Sequence, residues 1–179
     1  MAIAEDIYAR CRLCCVSAAT ILEEMVIGNT VDRVAVAARR PAADIAGDTA
    51  AALLRRTFIT PVEREDLWRL RSQGERLWQQ AENAALVAYH RRKAGPLSCH
   101  DVLRAAATVC AEIAQAWEPF PHHAVTAPSL RQLREAQRLC HTALHQCQDG
   151  EQLCDAVLAV LEQAETVLDT LQYIHIKNA

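Results

Sequence analysis

Very little in this chain stops a helix. Five glycines and six prolines are spread over 179 residues, and alanine and leucine dominate what lies between them. Both are strong helix formers. Aromatic residues make up only 4% of the chain, whereas sheets usually draw on aromatic and β-branched side chains. The constraint falls on fold class: an all-α protein whose helices pack through small residues. Apolar residues form 51% of the sequence and charged residues 23%, enough for one compact, ordered domain or two small ones sharing a core.

The few breakers divide the chain into six expected helices. The first runs from about Ala4 to Ile27, with Ile7, Cys11, Cys14, Cys15, Ala18, Ile21, Leu22 and Met25 recurring at helical spacing. Gly28 to Thr30 is a stop and restart, and the second helix spans about Val31 to Arg55 with a kink or split at Pro41. The third begins at Pro61 and ends near Arg92. Its apolar stripe is Leu67, Leu70, Leu77, Trp78, Ala81, Ala85 and Tyr89. Lys93 to Ser98 is the clearest break. The remaining helices run from about Cys99 to Trp117, Leu130 to Gln148 and Glu151 to Ile174. Three helices lie on each side of Gly95-Pro96. The expected architecture is therefore two antiparallel three-helix bundles within a single domain, residues 1–94 forming one half and 95–179 the other.

Composition also excludes several functions. The net charge of −3 and the dispersed arginines give no basic footprint for nucleic acid. No run approaches the ~18 apolar residues of a membrane span. The opening MAIAEDIYARC places acids ahead of any apolar stretch, unlike a signal peptide. A cytoplasmic protein is the default expectation. There is no Gly-x-Ser-x-Gly nucleophile setting and no phosphate-cradling glycine loop, so no enzyme is expected.

The eight cysteines carry two readings. Cys11 and Cys14 have the spacing of half a zinc site, but a structural site usually needs a second close pair. Cys140, Cys147 and Cys154 recur every seven residues on one helix face, as small buried hydrophobes do. His141 and His145 share a face beside Cys140, as a surface pair or an adventitious metal pair.

One stretch departs from its surroundings. In RTFITPVEREDLW, Phe58, Ile59 and Thr60 are poorly helical, and a proline and a burst of charge follow. Local rules account for it. Thr60 suits an N-cap, Pro61 the first helical position, and Glu63 completes a capping box. Glu65 and Asp66 add negative charge where the helix dipole favours it. Arg64 is left to pair with Glu63 or Asp66, or to face an acidic partner.

This stretch, with Leu70, resembles the signature corner of the PhoU-like phosphate-transport regulators, in the branch that accompanies Pit-type phosphate transporters. Phe58, Thr60, Pro61, Arg64, Glu65 and Asp66 match, and Glu63 replaces the usual aspartate. The closing YIHIKNA is similar to the end of the same family. The resemblance implies a non-enzymatic, cytoplasmic regulator or accessory protein of phosphate uptake. It implies protein–protein contact with a Pit-type transporter at the membrane, and self-association, as in a dimer.

It also implies where a metal would sit. PhoU-like proteins can hold iron or zinc clusters on carboxylates spaced four apart on facing helices, a spacing that puts both on one face. Here the pairs fall on Arg40 and Asp44, on Glu75 and Gln79 with Glu82 beyond, on Glu135 with Gln137 nearby, and on Leu158 and Glu162. Each has lost a carboxylate, and Arg40 and Arg76 add positive charge. The expected outcome is no cofactor, with Asp44, Asp48, Glu75 and Glu82 paired to Arg40, Arg76 or Arg55. The alternative is a metal-binding bundle with a single divalent or ferric ion on residual carboxylates such as Asp44, Asp48 and Glu75. The loop EPFPHHAVTAPS is a candidate contact segment, being long for a helical bundle.

Overall fold

The computed structural model describes residues 2–27, 34, 36–38, 52, 63–91, 100–116, 134, 135, 138 and 151–178. Four long helices stand out among them: α1 (Ala2–Val26), α2 (Arg64–Arg91), α3 (His100–Ala116) and α4 (Glu151–Asn178). Residues 34, 36–38 and 52, within the second expected helix, are helical, as are 134, 135 and 138 within the fifth. The rest of both, Pro41 included, lies outside the described residues, as do the Gly28–Thr30 and Lys93–Ser98 breaks.

In α1, Cys14, Cys15, Ala18, Ile21, Leu22 and Met25 are all buried, the stripe expected from helical spacing. The side chains of Ile7 and Cys11 lie outside those described. In α2 the buried residues include Leu67, Leu70, Gly74, Leu77, Ala81, Ala84 and Ala88, alternately three and four residues apart. Leu153, Val157, Val160, Ala164, Val167, Leu171 and Ile174 repeat that spacing in α4. Such a repeat keeps one seam facing a partner along the whole helix. At 28 residues each, these helices are about 42 Å long. They run antiparallel, because Lys177 meets Asp66 and Gln163 meets Gln73.

Helix α1 packs on α2 and α3, and α4 packs on both as well, so the four form a ring. The pairs α1–α3 and α2–α4 join the two halves of the chain, and one hydrophobic core runs through all four helices. Small residues line much of it, notably Ala81, Ala84, Ala106, Cys154 and Ala164. They allow interaxial distances at the short end of the roughly 8–10 Å range. Fully buried leucines such as Leu22, Leu103 and Leu161 each contribute about 1.5–3 kcal/mol by leaving water. Thr170 is buried too, and its hydroxyl donates to the Thr166 carbonyl at 3.0 Å, which satisfies it.

Three expectations need correction. Tyr89 is 38% exposed. It lies one residue, about 100°, past the seam position Ala88, and its ring meets the His90 ring edge-on at 5.7 Å. The third expected helix starts at Arg64, not Pro61. The Glu63 carbonyl accepts the first helical bonds, from Asp66 N at 3.1 Å and Leu67 N at 3.2 Å, so Glu63 stands in the cap position. The final helix continues past Ile174 to Asn178, and its last turn carries a lysine, the charge that a helix C-terminus favours.

Candidate functional site at the head of α2

The acidic corner is built by the start of α2. Helix geometry places Asp66 on the same side as Leu67 and Leu70, so its carboxylate turns inward. Asp66 is 3% exposed and is the one buried charged residue among the described residues. An isolated buried charge is costly and needs a counter-ion. The counter-ion arrives from the far end of the chain. Lys177 Nζ, in the last turn of α4, donates to Asp66 Oδ2 at 3.1 Å and lies 2.6 Å from Glu63 Oε2. Arg69 Nη1 lies 3.8 Å from the other Asp66 oxygen. The Tyr173 ring sits 5.5 Å from Lys177 Nζ, one turn earlier in α4. The hydrogen bond that Lys177 donates to Glu63, and then the one it donates to Asp66, raises its pKa above the ordinary lysine range.

Lysine rather than arginine holds this junction. Only Lys93 and Lys177 are lysines among nineteen basic residues. A compact ammonium with three donors can serve two carboxylates from one point, whereas a planar guanidinium suits a bidentate partner. That bias was the signal available in the sequence for Lys177. Arg64 and Glu65 are exposed on the first turn. Phe58, Thr60 and Pro61 lie outside the described residues; Glu63, itself in the cap position, is not the third helical residue that the expected capping box requires.

The candidate metal carboxylates among the described residues do not gather. Glu75 pairs with Arg71 at 2.8 Å, and the Arg71 guanidinium lies over the Trp68 ring at 5.1 Å. The expected partner Arg76 is adjacent in sequence and so faces elsewhere, while Arg71, one turn back, shares the face of Glu75. Glu135 accepts from Arg138 Nε at 2.9 Å, and that bond holds the Glu135 carboxyl below its usual range. Glu162 is exposed and Glu82 half-buried. Asp44, Asp48, Arg40 and Arg55 lie outside the described residues. Among the described residues, no three His, Cys, Asp or Glu side chains gather where they could hold an ion. The described carboxylates do not fit a cluster on their own.

The described thiols belong to the core. Cys14, Cys15, Cys110 and Cys154 are buried, and burial pushes the Cys110 pKa up to about 12. Cys11 (its side chain), Cys99, Cys140, Cys147, His141, His145 and the loop EPFPHHAVTAPS lie outside what is described. No described helix is long and apolar enough to cross a membrane.

No family model matches the sequence, and no curated protein matches it. The chain is similar in structure to a PhoU-like protein from Shewanella oneidensis MR-1, with a TM-score of 0.50 and 18% identity over 98% of each chain. A second structure from Shewanella oneidensis MR-1, named as a PhoU-like phosphate regulatory protein, covers the same shares at a TM-score of 0.49 and 16% identity. At such identity the likeness establishes a fold: the chain is all-α and PhoU-like.

Proposed function

We propose that this chain is a non-enzymatic regulator or accessory protein of inorganic phosphate transport, acting in the cytoplasm by contact with a Pit-type transporter. The single observation that carries the reading is the junction at the head of α2. The two segments that resemble the PhoU-like regulators, the acidic corner and the closing YIHIKNA, meet there through Lys177, Glu63 and Asp66. The PhoU-like fold supports the same reading. The exposed side chains of Arg64 and Glu65 offer the contact surface next to that junction.

Capture of the tagged chain from its native membranes, with partners identified by mass spectrometry, tests the reading. Recovery of an inorganic-phosphate transporter is expected, with several-fold less recovered by the surface variant Arg64→Glu. Recovery of no transporter, under both phosphate-rich and phosphate-poor growth, would overturn it.

A further inference from the structure

The last turn of α4 is held differently from the turns before it. Upstream, Val167, Leu168, Leu171 and Ile174 are buried in the common core. Beyond Ile174 no described apolar side chain is buried. Ile176 is 68% exposed and Tyr173, on the preceding turn, 50%. Among the described residues, what ties this turn to the rest of the molecule is Lys177, through Glu63 and Asp66. The corner has the matching dependence. Asp66 is buried, its Oδ2 is held by Lys177 at 3.1 Å, and the second cation, Arg69, stands back at 3.8 Å on a mostly exposed side chain.

We propose that the last turn of α4 is a latch on the head of α2: undocking of residues 175–178 and loosening of residues 63–66 are one coupled local event, keyed by Lys177. The dependence is reciprocal. When Lys177 leaves, Asp66 loses its close counter-ion and gains by turning toward water, which shifts the first turn of α2. When the first turn of α2 shifts, Lys177 loses both acceptors, and the terminal turn has no buried apolar side chain beyond Ile174 among the described residues to retain it. Any influence that displaces one segment releases the other by the same free energy. The core below, from Leu70 and Ile174 inward, stays packed. The latch gives the acidic corner two local states, and it holds whether or not the partner is a phosphate transporter.

Hydrogen exchange of the full chain, read by mass spectrometry, tests the latch. In Lys177→Met, exchange is expected to rise at 174–178 and also at 63–67, by about 5-fold or more, the lower end of typical coupling. Peptides covering 77–88 and 103–113 keep their wild-type rates. In Asp66→Asn, measured the same way, the rise appears at 174–178 as well. Lys177→Arg keeps protection at both places closer to wild type than Lys177→Met does. Faster exchange confined to the mutated segment in either variant would overturn the proposal. So would an equal loss of protection across the core, since the latch is a local device.

Discussion

Lys177 and Asp66 lie 111 residues apart in sequence and 3.1 Å apart in space. The contact closes the antiparallel pair α2–α4 at one end, and it places Asp66, the most deeply buried acidic residue among those described, against the last turn of α4. Because the ammonium also lies 2.6 Å from Glu63, the three side chains act as one unit. Their energetics are therefore not additive. Lys177→Met and Asp66→Asn are each expected to lower the urea midpoint, and the double variant to lose less than the sum of the two. Strict additivity in that double-mutant cycle would contradict the pairing.

The same junction sets a pH dependence with a definite sign. Hydrogen bonds to Glu63 and Asp66 raise the Lys177 pKa in the folded chain, while the unfolded chain titrates near the ordinary value of about 10.4. The folded chain then holds the proton more tightly. The contribution is complete below the unfolded value and is lost as pH climbs through the folded one. Denaturation midpoints of wild type and Lys177→Met, followed from about pH 9 upward, are expected to converge as the medium becomes more alkaline. A gap that widens with pH would contradict the assignment.

Small residues on the α2–α4 seam set how closely those helices approach. Gly74 is buried in the middle of α2, where glycine costs the helix about 1 kcal/mol relative to alanine. Beside it, the Gln163 side-chain amide reaches the Gln73 carbonyl at 3.4 Å. Gly74→Leu overpacks this point and is expected to destabilise by about 1–3 kcal/mol. Leu161→Ala, by opening a cavity at a fully buried position, costs about 2–5 kcal/mol. Chemical denaturation reads both, and a neutral Gly74→Leu would show that the seam is looser than described.

How much of this was legible in the sequence depends on the range of the interactions. The stripes of α1 and α2 were readable because helical spacing and burial are local. Tyr89 was misplaced because spacing counts positions, whereas exposure depends on how far a large ring sits from the seam. The turn chemistry around Glu63 was readable in kind but off by a few residues, since helix ends are decided by cap geometry. The Lys177–Asp66 contact was not readable from spacing, because no local rule links residues in different helices. Its two halves were visible only as separate stretches similar to one family. The partner of Glu75 was misjudged because Arg76 is adjacent in sequence, and adjacency is not proximity on a helix.

The cysteines offer a direct check on the core. Cys14, Cys15, Cys110 and Cys154 are buried, and the Cys110 thiol, with its pKa pushed up to about 12, has almost no thiolate at neutral pH to act as a nucleophile. Alkylation of the native chain at neutral pH, followed by peptide mapping, is expected to leave these four unlabelled, while denatured chain labels at all of them. Native labelling of Cys110 at the rate of an exposed cysteine would contradict the packing of α3.

The central claim is a role in phosphate transport exercised through the corner at the head of α2. It is tested most directly by uptake of radiolabelled inorganic phosphate in native cells that lack the chain and are then supplied with wild type, Arg64→Glu or Lys177→Met. The account predicts that loss of the chain changes uptake, that wild type restores it, and that both variants restore it less well at equal protein level. Uptake that is unaltered by loss of the chain, under phosphate-rich and phosphate-poor growth alike, would contradict it.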